Sequence, residues 1–396
     1  MAYSNICKPR LATGILYRKI FCALCVLLLM NGYTFVCSAA VGTSAQAAVL
    51  LETSTNTVLY QKNPNQKLPM ASTTKIMTAL CAIEAGNIDR TVTVDDSAIG
   101  VEGSSIYLAK GERLTVRELI YGLMLHSGND AAVAIACAVS GSVQEFAQLM
   151  NDTAQRIGAV NTHFDNPNGL DSQQHYTTAY DLALITSHAL KNKEFAKIVA
   201  TYTTTISNGD KGYDRQLKNH NKLLKMYDGC TGVKTGYTRR CGRCLVSSAK
   251  RGNIELVAVT LNDGNDWQDH MSMLDYGFAN TVSKRVLKKG EYIQRIAVSG
   301  GNSSYVNAVA DEDLYVTLPS GTEGKIQISA NVYGEITAPV SYGTVAGDVT
   351  VTVDGRQLPK VAAVCDRSVP QKNKSSFLHN LSVLIKVWHH IVVTGA

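Results

Sequence analysis

The chain has 396 residues, which at roughly 150 residues per domain suggests two or three domains. Hydrophobic residues make up 45% of it and charged residues 18%, so a sizeable core is possible and wholesale disorder is excluded. The formal net charge is +6, but four of the basic residues lie between Lys8 and Lys19, before the first acidic residue, Glu52. The remaining 34 basic and 32 acidic residues nearly balance. We therefore expect no nucleic-acid partner.

Residues 1–47 have the pattern of a secretory signal peptide. The basic segment Lys8 to Lys19 precedes an apolar run, Ile20 to Met30, that is shorter than the roughly 20 residues needed to span a bilayer. Small residues at Ser38-Ala39-Ala40 and at Ala45-Gln46-Ala47 give two candidate cleavage sites. We predict export to the outer face of the cytoplasmic membrane or the cell wall. An uncleaved anchor and lipidation at Cys37 are the alternatives.

The next segments alternate between strand and helix patterns. Ala48 to Tyr60 predicts two short strands around a turn at Ser54-Thr55-Asn56. Apolar residues at helical spacing, several after capping signals, then predict helices at Ser72 to Ile83, Thr115 to Leu125, Ser142 to Gly158 and Thr178 to Leu190. Strands are predicted again at Val233 to Tyr237, Cys244 to Ser248 and Ile254 to Leu261, before a helix through His270 to Tyr276. This order predicts an α/β domain with an antiparallel sheet over residues 48–288.

Two further regions follow. Short alternating runs separated by Gly, Asn and Asp turns predict a small all-β domain over residues 289–367. Residues 368–396 read as a linker and an amphipathic helix that binds the membrane surface. A helix docked on the protein's own surface is the alternative. The apolar positions at helical spacing are Phe377, Leu381, Leu384, Trp388 and Ile391.

Six cysteines remain after the predicted cleavage. Cys81 and Cys137 lie in Ala-rich helical patterns, which predicts buried free thiols. Cys241 and Cys244 have the C-x-x-C spacing of a redox pair, but their surroundings predict a turn entering a strand. A redox role for this pair and a bridge from Cys230 to Cys241 both stay open.

Three short motifs carry the candidate chemistry. Ser72-Thr73-Thr74-Lys75 opens a helix, where three residues place a hydroxyl and an amine on one face, as a nucleophile and base require. Ser127-Gly128-Asn129 lies at a break between helices, and Lys234-Thr235-Gly236 at the end of a strand. No single motif is enough to indicate a function, because such spacings also occur by chance. Ser247 to Lys250 repeats the spacing of the first motif, and Ser329 to Asn331 repeats that of the second.

Together, in this order, the motifs resemble the S-x-x-K, S-x-N and K-T-G of the serine D-alanyl-D-alanine carboxypeptidases, the low-molecular-mass penicillin-binding proteins. The resemblance covers roughly Ala48 to Cys365. It implies a β-lactamase/transpeptidase-like domain with a helical subdomain, then the small all-β domain and a terminal membrane anchor. Further similar blocks are Asn166 to Asp171, Thr178 to Leu182, Asn219 to Leu224, Leu274 to Phe278 and Gly343 to Gly347.

The resemblance also implies roles for individual residues. Ser72 would be the acylated nucleophile, Lys75 its general base, and Ser127 a proton shuttle to the departing D-alanine. The implied substrates are peptidoglycan pentapeptide stems, with β-lactams as inhibitors and no cofactor. The implied substrate-binding groups are Asn129 for the peptide, Lys234 and Thr235 for the terminal carboxylate, Gly236 for close approach, and the backbone N–H groups of Ser72 and Tyr237 for the oxyanion.

The chain departs from the family pattern at Cys241, where a small residue is more usual, and in its arginines. Arg239, Arg240 and Arg243 make this edge basic, which predicts a modest preference for acidic peptide stems; a solvated hairpin tip is the alternative. A class A β-lactamase is the nearest rival, but no E-x-x-L-N block lies between Asn129 and Lys234. The second alternative is a protein that binds the cell wall without catalytic activity. The histidines show no spacing typical of metal ligands, so no metal is expected.

Overall fold

A five-stranded antiparallel sheet, in the order β2-β1-β9-β8-β7, organises the first part of the computed structural model. The structure describes residues 41–208, 214–372 and 375–394, so most of the predicted signal peptide lies outside the described residues. The strands up to residue 261 are β1 Ala47–Glu52, β2 Thr57–Lys62, β3 Thr91–Thr93, β4 Arg113–Thr115, β5 Thr203–Ile206, β6 Arg215–Lys218, β7 Cys230–Thr238, β8 Gly242–Arg251 and β9 Ile254–Leu261.

Helices pack on this sheet and form a helical subdomain beside it. The capping box predicted at Thr115 is confirmed: its side chain accepts from the backbone of Glu118, whose carboxylate accepts from the Thr115 N–H. The side chains of Ser142 and Thr178 also cap their helices, by accepting from the backbone N–H groups of Glu145 and Asp181. The helices are α1 Lys75–Glu84, α2 Val116–Leu125, α3 Asn129–Ser140, α4 Val143–Ile157, α5 Ala179–Leu190, α6 Lys193–Ala200, α7 Leu223–Met226 and α8 Asp266–Ala279, with short 3₁₀ turns at Ala71–Thr74 and Asp96–Ala98.

The predicted α/β architecture is confirmed, with some elements that the sequence patterns did not reveal. The short pairs β3–β4 and β5–β6 and the helix α6 were not predicted. β3 and β4 have three residues each and β5 and β6 four, too few for a clear alternation.

The all-β domain is also confirmed. Its main sheet has the order β14-β16-β18-β12-β11-β15, with β17 on β16, and β10 pairs with β13. Arg356 joins this domain to the first one by donating to the carbonyl groups of Thr55 and Asn56. The strands are β10 Thr281–Leu287, β11 Tyr292–Ser299, β12 Tyr305–Ala310, β13 Leu314–Pro319, β14 Ile326–Val332, β15 Glu335–Thr337, β16 Val345–Val353, β17 Arg356–Gln357 and β18 Val361–Cys365.

The C-terminal helix α9, Ser375–Thr394, is present. Leu384 and Trp388 on its apolar face are 65% and 68% exposed, and Leu381 and Ile391 are exposed as well. These side chains are therefore not covered by the protein, which argues against the docked alternative.

Over the described ranges, no single helix combines the length and hydropathy needed to cross a membrane. The helices α3 and α4 meet that test only as a pair bent by 84°.

The cysteines of the described residues are all free thiols. Cys81 is buried as predicted, whereas Cys137 is only partly buried. The alternative of a bridge from Cys230 to Cys241 is wrong, because Cys230 begins β7 and Cys241 follows its far end. Eight residues of strand, at about 3.3 Å each, hold them roughly 25 Å apart.

Candidate active site

Ser72 lies in the 3₁₀ turn that leads into α1, and Lys75 is the first residue of that helix. The predicted pairing is present: Nζ of Lys75 lies 2.9 Å from Oγ of Ser72. Ala71, directly before the serine, has φ +46°, a conformation that is strained for a residue with a side chain. The bend thus presents the Ser72 hydroxyl at the surface of the cleft, while the side chain of Lys75 lies behind it.

Lys75 is fully buried, which is rare for a lysine. Burial lowers its pKa well below the usual value, and the positive charge of Lys234 lowers it further. The amine contacts two other oxygen atoms, Oδ1 of Asn129 at 2.7 Å and the carbonyl oxygen of Asn168. Both can only accept hydrogen bonds, so a neutral amine donates its two hydrogens to them and directs its lone pair to Ser72.

The middle motif lies beside the other two, with its serine in a strained backbone conformation. Ser127 has φ +63° and is 5% exposed, and it accepts a hydrogen bond of 3.1 Å from Nζ of Lys234. Asn129 begins α3, and its side chain donates to the carbonyl of Glu102 while accepting from Lys75. The amide of Asn129 therefore fixes both the base and the loop beside the cleft.

Lys234, Thr235 and Gly236 lie on the edge strand β7. Lys234 is 1% exposed and burial lowers its pKa to about 7. Gly236 packs against the turn that carries the nucleophile: an added Cβ would lie 3.1 Å from the carbonyl oxygen of Met70 and 3.2 Å from the amide nitrogen of Ser72. Gly236 thus brings the strand close to the serine.

These groups surround an open cleft of about 490 Å³. Ser72, Ser127, Thr235, Gly236 and Tyr237 line it, while Lys75, Asn129 and Lys234 lie in the layer behind. The structure thus brings all the predicted site residues together.

Other residues at this cleft were not predicted as site residues. His220 lines it, and burial, followed by the charge of Lys234, lowers its pKa to about 4, so its ring is neutral. Arg243 was noted only for its charge; it pairs with Asp266, which lies beside Trp267 in the lining. Asn168 lies in the block Asn166 to Asp171 that resembles the family. It contacts Lys75 through its backbone carbonyl, and a backbone contact cannot be predicted from the identity of a side chain.

The chance repeats of the motifs lie elsewhere. Ser247 is fully buried in β8 and hydrogen-bonds to His270, and Ser329 is exposed on β14 of the all-β domain. Among the residues that the structure describes, no group of three His, Cys, Asp or Glu side chains could hold a metal ion.

Comparison with known proteins gives the family. Residues 35–265 match the model for D-alanyl-D-alanine carboxypeptidase, and residues 283–371 match that for the penicillin-binding protein 5 C-terminal domain. The D-alanyl-D-alanine carboxypeptidase DacF of Bacillus subtilis is 34% identical over 344 residues, covering 84% of this chain and 88% of DacF. The D-alanyl-D-alanine carboxypeptidase DacA of Escherichia coli K12 is 29% identical over 362 residues, covering 87% of this chain and 88% of DacA.

A solved structure agrees with these sequence matches. Penicillin-binding protein 5 from Haemophilus influenzae superimposes with a TM-score of 0.60 at 29% identity, covering 83% of this chain and 98% of its own. Both family models, in this order, also fit the two domains seen here. The chain therefore belongs to the D-alanyl-D-alanine carboxypeptidase family of penicillin-binding proteins.

Proposed function

We propose that this protein is a serine-type DD-carboxypeptidase that removes the terminal D-alanine from peptidoglycan pentapeptide stems through an acyl-enzyme at Ser72. The observation that carries the proposal is the buried amine of Lys75, which lies 2.9 Å from Oγ of Ser72 and contacts two acceptors, Oδ1 of Asn129 and the carbonyl oxygen of Asn168. A lysine held neutral can act as a general base near neutral pH. Family membership supports the substrate class, and β-lactams are the expected inhibitors.

In the acylation step, Nζ of Lys75 takes the proton from Oγ of Ser72 as the oxygen attacks the carbonyl carbon between the two D-alanines. The carbonyl oxygen gains negative charge, which the backbone N–H groups of Ser72 and Tyr237 would stabilise. Loss of one such donor typically costs about 10²–10³ in rate. The tetrahedral intermediate then collapses to an ester on Ser72.

The leaving D-alanine needs a proton on its nitrogen and a partner for its carboxylate. Ser127 accepts a hydrogen bond from Lys234, so a proton can pass from Lys234 through the hydroxyl to the amine. Thr235 lines the cleft and Lys234 lies directly behind it. Together they suit a terminal carboxylate, and Asn129 would hold the peptide. The proton that Lys75 took from Ser72 then passes to Lys234 and restores it. Water hydrolyses the ester, with the neutral Lys75 again as base and the Ser72 oxygen as the leaving group that receives the proton.

Labelled penicillin tests the acyl-enzyme, and release of D-alanine from a pentapeptide tests the reaction. We expect a stable adduct on Ser72, turnover of the peptide, and neither in Ser72→Ala. Ser247→Ala is the matched control, because that serine has the same S-x-x-K spacing but lies fully buried in β8. Rapid hydrolysis of penicillin would favour the β-lactamase alternative. Absence of D-alanine release would favour a silent wall-binding protein.

We also propose the domain limits 1–47, 48–288, 289–367 and 368–396, export of the chain, and attachment of α9 to the membrane surface. The contacts of Ser44 help to choose between the two candidate cleavage sites of the signal peptide. Its hydroxyl donates to the carboxylates of Asp263 and Asp269, and its N–H donates to that of Asp269. Cleavage after Ala47 would remove these bonds, whereas cleavage after Ala40 keeps them. We therefore favour the site after Ala40, which would move the end of the signal peptide from residue 47 to residue 40, and the mass of the exported protein tests it.

A further inference from the structure

His175 is a buried histidine that the proposed reaction does not use. It is 3% exposed, and the centroids of its ring and of the Phe164 ring are 5.9 Å apart in an edge-on contact, so packing fixes its position. Burial, followed by the charges of His163 and Lys75, lowers the pKa of His175 to about 4. The ring is therefore neutral near pH 7, with one nitrogen that donates a hydrogen bond and one that accepts.

Both ring nitrogens of His175 have a partner, and the partners determine which nitrogen carries the proton. Nδ1 lies 3.0 Å from the backbone nitrogen of Asp165, whose N–H can only donate. Nδ1 is therefore the acceptor, and the proton is on Nε2. Nε2 lies 2.7 Å from Oγ1 of Thr74 and donates to that hydroxyl. His175 thus joins Asp165 to the residue directly before Lys75.

Asp165 begins a loop, residues 165–171, that packs against the turn of the nucleophile. The carbonyl oxygen of Asn168 in this loop accepts from Nζ of Lys75. Gly169 has φ +89°, and a Cβ at this position would clash with the carbonyl oxygen of the residue before Ser72. The loop is therefore in close contact with the turn, and any shift of the loop also moves the oxygen that accepts from Lys75.

These contacts form a closed ring around the proposed general base. The ring runs from Lys75 to its neighbour Thr74, through the side chain of His175 to Asp165, and along the loop to Asn168, which returns to Nζ of Lys75. Each link is a stretch of backbone or a hydrogen bond between buried or half-buried groups. Asp165 is three positions before Asn168, so release of Asp165 would let the carbonyl oxygen of Asn168 move away from the amine.

We propose that His175 is a positioning residue for the general base: it ties the 165–171 loop to the turn of the nucleophile, so that Asn168 keeps Nζ of Lys75 beside the Ser72 hydroxyl. The cleft lining, in the described part of the chain, does not include His175, so it acts on the reaction through Lys75. This role rests on the proposed acyl-enzyme at Ser72. Its loss is expected to slow the proton transfer to Lys75 and to leave substrate binding nearly unchanged.

Glutamine and leucine at position 175 separate a positioning role from a purely structural one. Glutamine offers one acceptor and one donor, as the neutral ring does, whereas leucine offers neither. In full-length His175→Leu, the maximal rate of acylation by labelled penicillin should fall by at least about tenfold, since a displacement of about an ångström can cost up to about 10²-fold. The half-saturating penicillin concentration should change by less than about twofold. His175→Gln should be at least about threefold faster than His175→Leu, the scale of one regained hydrogen bond.

A second variant keeps the histidine and removes its partner. Thr74→Val has nearly the same shape but lacks the hydroxyl that accepts from Nε2, so its maximal rate should also fall, by about tenfold. His188→Leu is the matched control, because that histidine is partly exposed on α5 and bonds to Glu84, and its rate should not change. If His175→Leu does not fold, Thr74→Val decides in its place.

Three results would overturn the proposal. They are an unchanged maximal rate in folded His175→Leu or in Thr74→Val, a His175→Gln protein that is no faster than His175→Leu, and a loss confined to the half-saturating concentration. Failure of the unsubstituted protein to react with penicillin is a different outcome, because it would refute the acyl-enzyme and this role together.

Discussion

Lys234 is a buried cation, and its replacement by methionine is expected to stabilise the fold while removing activity. Burial lowers the pKa of Lys234 from its ordinary 10.5 to about 7. At about 1.36 kcal/mol per pH unit, this difference means that the folded state disfavours the protonated lysine by about 5 kcal/mol. Methionine is an unbranched side chain one atom shorter than lysine, and it carries no charge.

The substitution also removes two hydrogen bonds, those from Nζ to Oγ of Ser127 and to the carbonyl oxygen of Thr235. Each acceptor left without its donor costs about 1–2 kcal/mol. We therefore expect Lys234→Met to raise the free energy of unfolding by about 1–3 kcal/mol at pH 6, where the lysine is protonated in both states. Stability gained by the loss of a functional group is typical of active sites.

The sign of the pH dependence gives a sharper test. Between about pH 7 and 10.5 the unfolded state holds a proton on Lys234 that the folded state lacks, so the unsubstituted protein becomes more stable as pH rises. The advantage of Lys234→Met should therefore fall by about 3 kcal/mol between pH 6 and pH 9. Urea denaturation at both pH values measures it, with Lys250→Met on the exposed end of β8 as the control. A destabilised variant at pH 6, or a difference that does not change with pH, would refute the reasoning.

Three further predictions concern the cleft. Gly236→Ala should slow penicillin acylation by about tenfold, because the new methyl group lies 3.1–3.2 Å from the turn that carries the nucleophile; an unchanged rate contradicts this packing argument. Asn129→Ala should slow acylation by about tenfold, the scale of one hydrogen bond to Lys75, and a steady rate with an unchanged melting temperature argues against that role. Arg239→Ala/Arg240→Ala should raise KM for acidic stems by a few-fold at most. Equal KM values would remove the proposed preference.

The secondary structure around the site was largely predictable, because local rules determine it. The capping box at Thr115 and the caps at Ser142 and Thr178 need only neighbouring residues, and the structure confirms each. The short hairpins were missed because their strands gain most of their stability from a partner strand rather than from their own residues. The bridge from Cys230 to Cys241 was wrong because β7 is longer than predicted, from Cys230 to Thr238, and its extended backbone holds the two cysteines apart.

The sequence alone determined the family resemblance, the order of the domains and the residues of the three motifs, since these depend on residue identity and on local periodicity. Only the tertiary structure decided how those residues act together. Lys75 meets Asn129 and Asn168, which are 54 and 93 positions away, and Ser127 meets Lys234 across 107 positions. Protonation state depends on burial and on such distant contacts, so the lowered pKa of Lys75 becomes visible only when the chain is folded.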